Sequence, residues 1–238
     1  MMCSRLSSIR AKILLLLKPE AIMPFFSVVI PLFNKETFVA RTIESILAQT
    51  FTDYEIIVVN DSSTDASAAI VKTFGEKVRI VEHVVNKGLS ASRNTGIEHA
   101  SADFIAFLDA DDLWKPYFLE KIFELIQKFP DAGLFATAYD ERYQNRAVSV
   151  RKNVNFAPDE MNLVQDVFDA NSHQPLFCYS SVVVKKDVFV TAGNFDETIT
   201  LGEDVDFNIR AFQHFELAYF NNSAAEYTIF SENQITNS

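Results

Sequence analysis

An apolar run that ends in a knot of acids constrains this chain more than any other feature. Phe104-Ile105-Ala106-Phe107-Leu108 runs straight into Asp109-Ala110-Asp111-Asp112. The run is short, unbroken and bounded by a turn, the pattern of a strand buried on both faces of a sheet. Ligands of open α/β sheets sit beyond the carboxyl ends of such strands. Carboxylates crowded there repel one another unless a cation or a polyhydroxy ligand compensates. A hard divalent cation carrying a diphosphate answers the set with few protein ligands.

The preceding segments alternate between two periods. Phe26–Ile30 reads as a strand ended by Pro31, and Thr37–Gln49 as an amphipathic helix with Val39, Ile43, Ile46 and Leu47 on one face. Tyr54–Val59 is a second strand closing on Asn60-Asp61, and Ala66–Phe74 a helix behind the capping residues Ser63, Thr64 and Asp65. Val78–Glu82 is a third strand, Asn86-Lys87-Gly88 a turn and Ser90–His99 a third helix. This order predicts an α/β fold with a mostly parallel sheet and helices on both faces. Right-handed crossovers gather residues 31–34, 60–65 and 109–112 on one edge.

The second half is less regular. Tyr117–Phe129 reads as a helix stopped by Pro130, Gly133–Tyr139 and Ser180–Val184 as strands, and Val205–His214 as a helix turning Val205, Ile209 and Phe212 inward. Residues 140–175 are polar and fit neither period, which leaves room for a mobile loop. At 238 residues the chain suits a single domain, and its 22 phenylalanines predict a ring-rich core. A net charge of -11 argues against nucleic acid as a partner. Cys3 and Cys178, far apart, read as free thiols of a reducing, cytoplasmic compartment. Residues 1–22 form a basic, partly apolar leader whose run Ile13–Leu17 is too short to span a bilayer. It reads either as a poorly ordered tail before a fold opening at Met23, or as a helix lying peripherally on a membrane surface.

Four constellations can carry chemistry. Asp109 and Asp111 suit a metal completed by phosphate oxygens and water, although Asp111 or Asp112 also suits a cap on a Leu113–Leu119 helix turn. Asp61 ends a strand within N-D-S-S-T-D, where an Asx-type turn is the plain alternative. Lys87-Gly88-Leu89-Ser90-Ala91-Ser92-Arg93 joins a flexible glycine to an arginine one turn into a helix, an arrangement that stabilises phosphate or simply exposes a surface arginine. Gly202-Glu203-Asp204 puts acids at a helix start, either for the helix dipole or as a general base facing a hydroxyl.

In order along the chain, S-V-V-I-P-L-F-N, V-V-N-D-S-S-T-D, N-K-G-L-S-A-S-R-N-T-G, F-L-D-A-D-D and G-N-F-D-E followed by G-E-D-V-D-F resemble the inverting glycosyltransferases of family 2, which have the GT-A fold. The resemblance spans about Phe25 to Phe212 and is densest over 26–113. It implies a nucleotide-sugar half over 23–115 and an acceptor half over 116–238. Pro31, Phe33 and Glu36 then match the base and ribose pocket, Asp61 the acceptor of the base N–H, and Arg93 a residue near the diphosphate. Asp109 and Ala110 open the D-x-D motif, and Asp111 is its metal-binding acid. Asp204 matches the catalytic base, with Glu203, Trp114 and the Gly193–Glu197 turn on the acceptor side.

The resemblance implies Mn²⁺ or Mg²⁺ as cofactor. It implies transfer of one sugar from a nucleotide-diphosphate sugar, typically UDP-linked, to a hydroxyl of a saccharide or lipid-linked acceptor in bacterial surface polysaccharide assembly. Two features depart from the family. The stretch Tyr227–Asn233 lacks the histidine that many relatives place near the metal, and the Q-x-x-R-W motif of processive synthases is missing. A catalytically inactive nucleotide-sugar-binding module is the alternative. A nucleotidyltransferase would carry a glycine-rich loop where this chain has P-L-F-N-K-E.

Overall fold

A computed structural model describes residues 23–143, 146–149, 152–172 and 174–229. Within them the chain runs β1 (Phe26–Leu32), α1 (Val39–Leu47), β2 (Tyr54–Asn60), α2 (Ser67–Lys72), β3 (Arg79–Glu82), α3 (Leu89–His99) and β4 (Phe104–Phe107). It continues through β5 (Leu113–Trp114), α4 (Phe118–Lys128), β6 (Leu134–Tyr143), β7 (Arg146–Ser149), β8 (Met161–Leu163) and α5 (Val167–Ala170). It closes with β9 (Val182–Lys185), α6 (Lys186–Ala192), α7 (Glu203–Ala211) and β10 (Leu217–Thr228). One ten-stranded sheet joins both halves in the order β3-β2-β1-β4-β9-β6-β10-β5, with β7 on β6 and β8 on β10. β3, β2, β1 and β4 are parallel. β9 enters antiparallel between β4 and β6, and β10 then runs parallel to β6.

Strand alternation sorts the core into two layers. Val28 and Ile30 of β1 join Ile56 and Val58 of β2 against Val39, Ile43 and Ile46 of α1 and Leu119, Ile122 and Leu125 of α4. Val29, Ile57 and Val59 face the other way, against Ile97 of α3, Val188 of α6 and Phe207 of α7. Rings fill both layers as the composition predicts. Phe25 stacks on Phe104, and Phe195 stacks on Phe207 at 4.8 Å. No helix of the described residues is long and apolar enough to cross a membrane. Residues 1–22, with Cys3, and residues 230–233 lie outside the described residues.

Several elements differ from the sequence expectation for identifiable reasons. Pro31 does not end β1. Leu32 O accepts from Asp61 N on the β2 side, and Val29 O from Leu108 N on the β4 side. By alternation the N–H that Pro31 lacks faces the β4 side, beyond the last pair Val29↔Phe107, so no ladder bond is lost. Leu113-Trp114 is a strand paired with Glu226 and Ala225, not a helix turn, so neither Asp111 nor Asp112 is a cap there. Residues 140–175 contain the end of β6, the β6–β7 pairing, β8 against β10, and α5 capped by Asp166, which accepts from Phe168 N and Asp169 N. In α7, Val205 and Ile209 are 56% and 45% exposed, while Glu203, Phe207 and Ala211 form the inward stripe. The helix offered two apolar stripes, and the buried partner of Glu203 selects the second.

The acid turn is fixed by the end of β10. Asp112 is buried, its Oδ1 accepting from Thr228 N at 2.7 Å and its Oδ2 from Ser180 Oγ at 2.5 Å. Thr228 Oγ1 donates to Asp111 O, and Thr42 Oγ1 lies 2.9 Å from both Ala110 O and Asp112 O. Burial first, then the neighbouring carboxylates Asp111 and Asp109, push the Asp112 carboxyl well above the usual carboxylate range. A raised folded-state pKa means that ionisation above the unfolded value weakens the fold, whereas at low pH the proton removes that cost.

Asp112→Asn offers the same oxygen to Thr228 N and an amide to Ser180 without the charge. It should be at least as stable as the parent at pH 7, with the difference vanishing toward pH 4, in urea unfolding at the two pH values. Gly96 of α3 packs against β1, where a methyl group would overlap Val29 Cγ1 and stand 2.9 Å from Cγ2. Gly96→Ala should cost about 1–3 kcal/mol in urea unfolding despite its better helix propensity, and Val29→Ala in the same chain should recover part of the loss.

Candidate active site

A cavity of about 570 Å³ opens at the carboxyl ends of β1, β2 and β4, and its far wall comes from the Phe177–Tyr179 and Leu201–Asp204 segments. Of the residues expected at the site, Pro31, Phe33, Asp61, Arg93, Asp109, Ala110, Asp111, Glu203 and Asp204 all line it. The start of α7, on the connection between β9 and β10, stands opposite the strand ends.

The three acids of the D-A-D-D turn do not converge on one point. Asp109 Oδ1 lies 3.3 Å from Arg93 Nη2. Asp111 Oδ2 lies 2.8 Å from Lys35 Nζ. Asp112 points into the protein, as described above. Asp109 keeps 27% of its side chain exposed, yet desolvation in the cavity wall raises its pKa against the pull of Arg93, and Asp111 adds to the rise.

Arg93 is buried and joins the two halves of the site. Its Nη1 donates to Glu203 Oε1 at 2.8 Å while Nη2 reaches Asp109. The guanidinium lies 4.7 Å from the centre of the Tyr179 ring and 5.4 Å from that of Phe195. Burial works against its charge, but Asp109 and Glu203 outweigh it, so its pKa is raised. Among the described residues its Nε is a buried donor with no partner. Asn94 fixes the Gly193–Glu197 turn to α3 by donating to Phe195 O and Glu197 Oε1, which seats Phe195 beneath Arg93. That turn therefore acts on the site through Arg93 and does not line the cavity.

Asp61 is 3% exposed and forms no Asx-type turn. Its Oδ1 accepts from His83 Nδ1 at 2.7 Å and Lys87 N at 2.8 Å, and its Oδ2 from Gly88 N at 2.8 Å. The carboxylate thus holds the loop that begins α3, where Gly88 adopts φ +92, a conformation that glycine reaches without strain. At the helix start, Asp204 Oδ1 accepts from Val205 N at 2.8 Å.

Two expected site residues stand elsewhere. Glu36 is exposed and spends its carboxylate on Ala66 N, so it braces the start of α2 outside the cavity lining. Trp114 is 4% exposed, stacks on Phe118 at 4.3 Å and donates from Nε1 to Ser180 O. It packs the core beneath the acid turn and is not part of the cavity lining. Lys35, His83 and Tyr179 were missed. Lys35, beside the P-L-F-N segment, was the legible one, because a lysine on a strand end in an acid-rich site is a counter-ion candidate. Nothing local distinguishes Tyr179.

Among the described residues no cluster of three His, Cys, Asp or Glu forms a ready metal cage. Asp109 and Asp111 border the cavity on one turn. This partial carboxylate set is what Mg²⁺ or Mn²⁺ takes when phosphate oxygens and water complete the shell. The donor set fits an ion whose remaining positions are taken by water or by phosphate oxygens.

Comparison with known proteins agrees with this geometry. Glycosyl transferase family 2 matches residues 27–186. "Uncharacterized glycosyltransferase EpsJ" of Bacillus subtilis is 29% identical over 202 residues, covering 82% of this chain and 58% of that protein. "Glycosyltransferase GlyA" of Streptococcus pneumoniae is 37% identical over 105 residues, covering 43% of this chain and 15% of that one. The fold is shared with S. aureus TarS 1-349, solved in complex with UDP-GlcNAc: TM-score 0.75 at 19% identity, over 90% of this chain and 61% of TarS 1-349. This chain thus spans about 60% of the length of EpsJ and of TarS 1-349. The matched segment contains the strand ends, the acid turn and Arg93 that build the cavity, and the chain belongs to glycosyl transferase family 2.

Proposed function

We propose that this chain is an inverting, metal-dependent glycosyltransferase that moves one sugar from a UDP-sugar to a hydroxyl of a saccharide or lipid-linked acceptor. The observation that carries the reading is the Arg93 bridge. It draws Asp109, on the donor-side turn, and Glu203, beside Asp204, to one guanidinium on the wall of one cavity. A displacement needs its leaving group and its base held in fixed relation, and a buried, doubly paired arginine supplies that rigidity. S. aureus TarS, which shares the fold, has been solved with UDP-GlcNAc and with UDP, which supports a uridine diphosphate donor.

In this reading Phe33 and Pro31 flank the base, and the loop held by Asp61 closes over the nucleotide. Asp204 takes the proton of the acceptor hydroxyl as its oxygen attacks the anomeric carbon, and the nucleoside diphosphate leaves from the opposite face. Arg93 offsets charge that develops on the diphosphate. A bound Mn²⁺ or Mg²⁺, held by Asp111 with Asp109 beside it, supplies the remaining positive charge. Work on the cytoplasmic side of a bacterial membrane, in surface polysaccharide assembly, completes the proposal.

The test combines binding and turnover. UDP with Mn²⁺ should raise the melting temperature of the parent, and Asp111→Asn should abolish that shift. Asp204→Asn should keep the shift while release of UDP from a UDP-sugar falls by about 10²–10⁴-fold, the usual worth of a general base. Parental turnover in Asp204→Asn removes that residue from the base role. Binding by the parent without turnover over a broad acceptor panel favours the inactive binding module.

A further inference from the structure

Among the described residues, the cation closest to the proposed metal-binding acid has no part in the mechanism above. Lys35 Nζ lies 2.8 Å from Asp111 Oδ2, with only 10% and 11% of the two side chains exposed. Both residues line the cavity. The lysine backbone is fixed: its N–H donates to Ser67 Oγ at 2.8 Å, and its carbonyl accepts from Phe38 N and Val39 N at the entry to α1. The side chain leaves this fixed backbone for the cavity, where its ammonium pairs with Asp111 and passes 5.9 Å from the Phe38 ring. One carboxylate oxygen cannot hold a divalent ion and a neighbouring ammonium without repulsion between the two cations at close range. The aliphatic stem, anchored at the cavity edge, lets the ammonium swing while it remains inside the cavity.

We propose that Lys35 is the exchangeable counter-ion of Asp111. Its ammonium neutralises the acid turn in the ligand-free protein and moves onto the donor's diphosphate when a divalent ion takes the carboxylate. The inference rests on the donor-site reading above and adds to it a positioning cation that couples metal loading to diphosphate capture. The exchange also keeps the turn from carrying an uncompensated charge in either state, since a buried carboxylate stripped of its partner destabilises the fold.

The test reads metal binding directly. Mn²⁺ is titrated, without nucleotide, into the parent, Lys35→Met, Lys35→Arg and Asp111→Asn, and free Mn²⁺ is followed by its electron paramagnetic resonance signal. Lys35→Met should bind Mn²⁺ about tenfold more tightly than the parent, because the competing cation is gone. Lys35→Arg should stay near the parent, and Asp111→Asn should lose binding. With Mn²⁺ saturating, Lys35→Met should bind UDP several-fold more weakly. Unchanged or weaker Mn²⁺ binding in Lys35→Met, beside lost binding in Asp111→Asn, overturns the exchange and leaves the donor site standing. Unchanged Mn²⁺ binding in Asp111→Asn overturns the metal role of that acid, and the exchange falls with it. The parent chain gives an arm independent of the folding of Lys35→Met. Its Lys35 ammonium resonance, identified by its absence from Lys35→Arg, should shift when Mg²⁺ and UDP are added, and a resonance that stays in place overturns the proposal.

Discussion

Three carboxylates on one turn cannot share a single counter-charge, and much of this structure answers that constraint. Each acid has its own partner from a different part of the chain. Asp109 meets Arg93 of α3, Asp111 meets Lys35 at the entry to α1, and Asp112 meets Thr228 at the end of β10. Separation lowers the repulsion that one shared direction would impose. It also makes the turn the point where α3, the entry to α1 and the end of β10 meet. Arg93 extends the arrangement to Glu203, so the first turn of α7 is positioned by the charge distribution as much as by Phe207 behind it.

The same logic separates residues that act on the cavity from those that hold it. Ser180 accepts from Asp109 N, donates to Asp112 and accepts the indole N–H of Trp114 on its carbonyl, so one serine fixes the turn from below. Asp61 does comparable work across the cavity, where three donors from the His83–Gly88 loop converge on its carboxylate. Tyr179 and Phe195 give Arg93 a ring floor that keeps the guanidinium flat between its acids. Rigidity here comes from hydrogen bonds and stacking around the charged groups, which is the form of preorganisation that a site handling developing charge requires.

The first half of this architecture was legible because each of its elements announces itself locally. Alternating apolar strands, helix periodicity and turn residues lie within short windows, and crossover handedness then dictates which strand ends meet. That reasoning placed residues 31–34, 60–65 and 109–112 on one edge. It failed wherever the outcome depended on a distant partner. The insertion of β9 antiparallel between β4 and β6 has no local signature. The face of α7 turned on whether Glu203 found a buried cation, and an apolar count favoured Val205 and Ile209 instead. Glu36 and Trp114 were assigned to the site by their position in a motif, whereas the first braces α2 and the second fills the core. Lys35, just past the end of β1 in an acid-rich chain, was open to reading as a counter-ion, but only its 2.8 Å contact with Asp111 identifies the acid it serves.

The fastening of Asp112 to Thr228 has a consequence for biosynthesis. Peptide synthesis proceeds from the amino end, so β1 to β4 leave the ribosome well before β10 exists. The parallel core of the first half can gather during that interval, because its partners are near in sequence. The acid turn cannot, since the backbone amide that steadies Asp112 and the hydroxyl that holds the Asp111 carbonyl both belong to residue 228. Completion of the cavity is thereby delayed until β10 has been synthesised, and a nascent chain that stops short of residue 228 would have the parallel half of the sheet without the finished site.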